Sequence, residues 1–153
     1  MKITGGNFRG RRVEVRKDRS LRPTTSRVRE AIFNLLRHGK FLNHENFIHD
    51  GADIIEGQHI VDIFCGTGML GLEAVSRGGE QVTLIDQDQK TLDITRQNVK
   101  HIGANATIIK SDSTRLPRAR HTCRLAFIDP PYNSGLGIAS LKSLRDNGWL
   151  ENG

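Results

Sequence analysis

Cysteine is scarce in this 153-residue chain: Cys65 and Cys123 are too few for a disulfide framework and are not spaced as a zinc pair. Both are expected to be small buried hydrophobes. The six histidines are scattered, with no i,i+4 pair and no nearby carboxylate cluster, so no metal is expected. No apolar run approaches the length of a membrane span, and no membrane partner is expected. The start, MKITGGNFRGRRVEV, lacks the apolar stretch of a secretory signal. Its apolar residues alternate as in a strand rather than an amphipathic transit helix, so a cytoplasmic location is expected. There is one tyrosine and there are only four prolines, yet that tyrosine and two of the prolines fall together in FIDPPY, residues 127 to 132.

Charge is unevenly spread. Residues 1–40 hold 12 Lys and Arg against 3 acids, a net of +9, and the remaining 113 hold 11 against 14, a net of −3. A solvated basic face is the ordinary meaning of such a bias. Its concentration in one segment favours a polyanion partner, most simply nucleic acid.

The pattern predicts a basic N-terminal hairpin and helix over residues 1–40, a connecting segment over 41–57 and an α/β domain over 58–153. Ile3, a glycine-rich turn from Gly5 to Gly10, and the alternating Val13 and Val15 read as a hairpin. Pro23 keeps Arg22 out of helical geometry. Val28, Ala31, Ile32, Leu35 and Leu36 then form one helical stripe, expected to face the core, with Arg27 off it and Arg29 near its margin. Residues 38–57 read as a short helix plus loops. Beyond them strands and helices alternate with short connections, the signature of a parallel sheet covered on both faces. HIVDIFC, VTLID, ATIIKSD and RLAFID are the strands; GLEAVSR, residues 89–102 and residues 136–146 are the helices. Right-handed crossovers bring the carboxyl ends of all four strands to one edge, each tipped by an acid: Asp62, Asp86, Asp112 and Asp129.

The loop GTGMLG, residues 66–71, fits G-x-G-x-x-G, a weak signal alone because many turns need only glycine's freedom. Asp86 lies 20 residues past Gly66, where an acid can bind both hydroxyls of a ribose. Charge separates the candidate ligands. A pyrophosphate needs a site without carboxylates, whereas Asp62 stands four residues ahead of Gly66. A carboxylate there suits a cationic ligand, and S-adenosylmethionine carries positive charge on its ammonium and its sulfonium. Asp112 could accept from an adenine amino group.

DIFCGTGMLGLEAVSRG is similar to the cofactor loop of class I methyltransferases, and DPPY resembles the motif of those that methylate exocyclic amino groups of bases. ITGGNFRGRRV, RPTTSRVREAIFNLL and DNGWL resemble the RsmD type of 16S ribosomal RNA guanine-N2 methyltransferase. That resemblance implies a Rossmann-like sheet with helices on both faces, S-adenosylmethionine as cofactor, and ribosomal RNA or a small-subunit assembly particle as partner. It implies that Asp62, Gly66 and Gly68 hold the methionine part, Asp86 the ribose, and Asp112 with Ser113 the adenine, with Phe64 also in the cofactor site. Asp129, Pro130, Pro131 and Tyr132 would hold the target base. The family's sheet runs to seven strands, so a fifth is expected after NGWLENG. Within residues 1–153 the expected sheet is therefore C-terminally incomplete, its fourth strand an open edge for a partner chain or a further segment.

The chemistry of DPPY fits the assignment independently. An exocyclic amino nitrogen is a poor nucleophile because its lone pair is delocalised into the ring. Acceptors for its two hydrogens, the Asp129 carboxylate and the Pro130 carbonyl, favour a pyramidal nitrogen with a usable lone pair. Pro131 stiffens the turn, and the Tyr132 ring can stack a flipped base. Arg9, Arg11, Arg12, Arg22, Arg27 and Arg29 are expected to contact phosphates, supplying affinity and register while the pocket selects the base. DNA adenine-N6 methylation and a non-catalytic RNA-binding role are the alternative readings.

Overall fold

A computed structural model describes residues 1–16, 25–38, 54–131 and 133–151. Among the described residues nine elements follow in order: α1 (Ser26–His38), β1 (His59–Ile63), α2 (Met69–Ser76), β2 (Gln81–Asp86), α3 (Gln89–Ile102), β3 (Ala106–Lys110), a 3-10 turn (Ser113–Arg115), β4 (Leu125–Ile128) and α4 (Leu136–Asp146). The expected short helix between α1 and β1 falls mostly on residues 39–53, outside the described residues. Among the described residues, no helix is long and apolar enough to cross a membrane.

The four strands are parallel in the order β3-β2-β1-β4. Successive strand side chains point to opposite faces, and the core divides accordingly. Ile60, Val82, Leu84 and Phe127 pack with Ala74 and Val75 of α2, Leu92 of α3 and Phe33 of α1. Val61, Ile63 and Ile85 pack on the other face with Leu116, Cys123, Leu144 of α4 and Trp149. Both cysteines are buried, as expected of small hydrophobes. The strand order reverses between β1 and β4, which makes their carboxyl ends the natural crevice for a ligand.

Helix α3 matches its expected span because its signals are strong. Asp88 accepts from the Lys90 and Thr91 amides at its start, and Gly103 ends it at φ 73. Strand β1 is shorter than expected because Phe64 turns out of it with φ 62.

The hairpin is present. Ile3 N–H donates to Arg11 O at 3.0 Å, Gly10 N–H to Ile3 O at 2.9 Å and Val13 N–H to Met1 O at 2.9 Å. Ile3 and Val13 bury themselves against Met69, Leu72 and Ile102. The hairpin is thus packed on α2 and α3 rather than appended to them. Gly6, at φ 74, lies so close to Ser76 that a Cβ would sit 1.7 Å from its carbonyl oxygen.

Helix α1 is rotated from its expected orientation. Val28 and Leu35 of the predicted stripe are 49% and 51% exposed, whereas Arg29 and Phe33 are buried. Two contacts explain the rotation. Phe33 meets Phe127 edge-on at 5.7 Å and carries the Arg77 guanidinium 4.9 Å above its ring. Arg29 faces the buried carboxylate of Glu73, Nε to Oε2 at 3.7 Å, and donates from Nη2 to Lys2 O at 2.9 Å.

The stretch just ahead of the expected fifth strand makes one pairing contact. Leu150 makes a parallel bridge with Cys123, where Cys123 N–H donates to Trp149 O at 2.6 Å and Glu151 N–H to Cys123 O at 3.2 Å. Trp149 is anchored by an Nε1–H bond to Pro117 O at 2.8 Å. Along Leu125–Ile128 itself, no strand among the described residues pairs with the outer edge of β4.

Candidate active site

The loop between β1 and α2 is held open by its glycines. Gly66 and Gly68 have φ 54 and 83, conformations that L side chains rarely adopt. A Cβ on Gly66 would meet nothing within 4 Å, so the loop borders free space there. Gly71 serves packing instead: a Cβ there would lie 2.5 Å from Leu84 Cδ2 and 2.8 Å from Val82 Cγ2. This third glycine lets α2 lie directly on the sheet.

Four side chains fix the loop. Asp86 Oδ2 accepts from Gly66 N–H at 3.0 Å, and Thr95 Oγ1 donates to Gly66 O at 2.7 Å. Asn98 Nδ2 donates to Thr67 O at 2.9 Å, and Asp62 Oδ2 accepts from Gly71 N–H at 2.9 Å. Thr95 and Asn98 were not anticipated from sequence. Their signal was present: Thr91, Thr95 and Asn98 interrupt the inward face of α3 at helical spacing, and all three are buried.

Asp62 is 2% exposed. Burial pushes its carboxyl up to about 7, the Gly71 N–H offsets part of that, and the negative charges of Asp129 and Asp86 add to it. The acids at the ends of β2 and β4 therefore lie close enough to act on Asp62. Asp86 also accepts from Asp88 N–H at 2.9 Å through Oδ1, so both of its oxygens carry backbone bonds and its carboxylate is fixed in place.

Beside Asp86 a cleft is lined by Phe64, Ile85, Asp86, Gln87, Ser111 and Ser113. Asp112, expected to reach an adenine, is exposed and does not line it. Its Oδ1 caps the 3-10 turn, accepting from Thr114 N–H and Oγ1–H, both at 2.8 Å. Those bonds hold its carboxyl below the usual range. Ser113 is in the cleft wall, but its hydroxyl accepts from Ser140 Oγ at 2.9 Å and so belongs to the packing of α4.

The DPP segment follows β4 directly. Asp129 N–H reaches back to Ile63 O at 3.5 Å, which sets Asp129 beside the end of β1 with its side chain exposed. Pro131 O accepts from Ser134 N–H at 3.3 Å and closes the turn. Tyr132 lies outside the described residues.

Of the arginines expected to meet phosphate, Arg9, Arg12 and Arg27 are exposed. Arg11 is exposed as a residue, but its Nη1 donates to Ile102 O at 2.7 Å and its guanidinium lies 4.9 Å from the Phe8 ring centroid. Arg22 lies outside the described residues. Arg29 corrects the expectation: it is fully buried against Glu73, where no phosphate can reach it, because position 29 falls on the inward face of the rotated α1. A second group of exposed cations, Arg115, Arg118, Arg120 and Arg124, runs along the connection from β3 to β4. The mildly acidic total of residues 41–153 concealed it. Among the described residues, no group of three or more His, Cys, Asp or Glu could hold a metal ion.

This sheet order, glycine loop and acid-tipped edge define a Rossmann-like fold of the class I methyltransferase type. Solved Escherichia coli yhhF superposes with a TM-score of 0.76 at 31% identity, over 99% of this chain and 75% of that one. The family model described as "Conserved hypothetical protein 95" matches residues 1–153, and the chain belongs to that family. It is 35% identical over 155 residues to the Escherichia coli (strain K12) protein named "Ribosomal RNA small subunit methyltransferase D", across 98% of this chain and 69% of the relative. A relative of the same name from Buchnera aphidicola subsp. Acyrthosiphon pisum is 30% identical, across 97% and 72%.

Proposed function

We propose that this protein transfers a methyl group from S-adenosylmethionine to the exocyclic N2 amino group of a guanine in small-subunit (16S) ribosomal RNA. The observation that carries the reading is the convergence of Asp62, Asp86 and Asp129 around an open glycine loop, with DPP at the tip of the neighbouring strand. The names of the relatives supply the RNA.

The residues fit that cofactor. Three carboxylates repel a pyrophosphate and favour a cation, the free space at Gly66 admits a ligand against the backbone, and the adjoining cleft is walled by Phe64 and Ile85. Asp62, Phe64, Gly66 and Gly68 would hold the methionine end and Asp86 the ribose. The cleft wall at Ser113, rather than the carboxylate of Asp112, would hold the adenine. When bound, the cofactor supplies an electrophilic methyl group on a sulfonium.

The protein's part is positional and electrostatic. The Asp129 carboxylate and the Pro130 carbonyl accept the two amino hydrogens and free the nitrogen lone pair for the methyl carbon. Asp129 would take the surplus proton that methylation leaves on the nitrogen. Exposure of Asp129 lets that proton continue to water. Tyr132 would stack the base. Residues 1–40 would contact RNA through Arg9, Arg11, Arg12, Arg22 and Arg27, with residues 58–153 carrying the cofactor.

The test is transfer of a labelled methyl group to 16S ribosomal RNA, to small-subunit particles and to duplex DNA. RNA is expected to be labelled at guanine N2, and Asp129→Ala is expected to abolish transfer while retaining cofactor binding. Labelling of DNA adenine instead, or near-normal turnover by Asp129→Ala, would refute the reading. Binding to RNA is expected to weaken steeply with salt as counterions are released, so a flat dependence would remove the arginines from the interface.

A further inference from the structure

Asn98 is 2% exposed and joins two parts of the molecule that the sequence keeps 53 residues apart, at Glu14 and Thr67. Its Oδ1 accepts from Glu14 N–H at 2.8 Å, and its Nδ2 donates to Glu14 O at 2.9 Å and to Thr67 O at 2.9 Å. One carboxamide thus pairs with the second arm of the hairpin as a strand would and spends its remaining hydrogen on the glycine loop. A second tie runs alongside. Arg16, two residues further along that arm, binds Asp88 and donates to Thr91 Oγ1 at 3.1 Å, and Asp88 N–H donates to Asp86. The same arm carries Arg11 and Arg12.

Neither an acid nor an apolar side chain would do this at position 98. Aspartate would set an anion against two carbonyl oxygens, and leucine would leave those buried acceptors without a donor. A side chain needed only for packing would not have to satisfy both sides at once.

We propose that Asn98 is a positioning residue that couples the hairpin to the cofactor loop, so that cofactor binding and engagement of RNA by the hairpin strengthen each other. The inference rests on the cofactor assignment made above. A ligand that fixes Gly66–Gly68 fixes Thr67 O, which holds the Asn98 carboxamide, which in turn holds the backbone of Glu14. Linkage makes the effect reciprocal: RNA that orders the hairpin raises cofactor affinity by the same factor.

The experiment is amide hydrogen exchange on the full chain, with and without saturating S-adenosylhomocysteine. In the wild type, exchange is expected to slow at the loop amides and, by about fivefold or more, at Glu14 N–H, within the usual range of coupling between sites. In Asn98→Ala the loop amides are expected to respond while Glu14 no longer does. Loop protection with an unresponsive Glu14 in the wild type overturns the coupling and leaves the cofactor assignment standing. A Glu14 response that survives in Asn98→Ala overturns the role of Asn98. Absence of loop protection in the wild type refutes the cofactor assignment and this inference with it. Should Asn98→Ala fail to fold, the wild-type comparison and Asn98→Ser decide by the same criteria.

Discussion

Replacing Asp62 with asparagine is expected to stabilise the ligand-free protein at alkaline pH and to weaken its hold on the cofactor. Burial lifts the Asp62 carboxyl from 3.8 to about 7. That is about three pKa units at ~1.4 kcal/mol each, so keeping the group ionised in the fold costs about 4 kcal/mol. The sign follows from the raised folded value. Below pH 4 the group is protonated both folded and unfolded, and the cost is absent. It grows as pH rises from about 4 and is complete above about 7. Asparagine removes it while its Oδ1 still accepts the Gly71 N–H, but burying its N–H2 returns roughly 1–3 kcal/mol. A net gain of about 2 kcal/mol at pH 8 corresponds to a melting midpoint higher by roughly 4–8 °C for a chain of this size. At pH 5 the difference should shrink. Thermal unfolding of both proteins across that range measures it, and a variant less stable than wild type at pH 8, or a difference independent of pH, would refute the reasoning. In titration calorimetry, wild-type affinity for S-adenosylmethionine should climb as pH rises to 7 and then level, whereas Asp62→Asn should bind weakly and without that climb.

Glu73→Ala removes the carboxylate that accepts from Thr4, Gly5 and Arg77 and faces Arg29, leaving the Arg29 charge buried without its counter-ion. A loss of about 3–5 kcal/mol is expected in denaturant unfolding, with faster proteolysis of the hairpin. Gly71→Ala forces a methyl group into Leu84 and Val82 and is expected to cost roughly 1–3 kcal/mol while displacing the glycine loop. A variant with wild-type stability would mean that α2 can lift from the sheet.

The sheet was legible because its signals are local and redundant. A buried strand, a glycine loop and a capped helix each mark the same boundary, and the spans of α3 and α4 came through unchanged. What was not legible depended on charge meeting charge across the chain. The apolar stripe of α1 pointed Val28 and Leu35 inward, but Glu73 lies buried 44 residues beyond Arg29, and pairing that carboxylate governs how the helix sits. Periodicity weighs hydrophobicity alone and cannot anticipate an arginine in the core. For the same reason Arg29 was assigned to phosphate. At the site, the acids at the strand tips were readable from topology, whereas the capping of the three-residue turn after β3 by the Asp112 carboxylate was not.

The reversal of strand order gives the two halves of the site different folding histories. Ile60 pairs with Val82 on β2 across 22 residues of chain, but with Leu125 on β4 across 65. The longer closure costs about 1 kcal/mol more in chain entropy, and such non-local pairing forms more slowly. The glycine loop and Asp86 can therefore be in place while Asp129 is still unattached, and under stress β4 is the strand to leave first. Its amides should open at lower free energy than those of β1 and β2 in native-state exchange. A weakened molecule would then bind its cofactor without acting on a base.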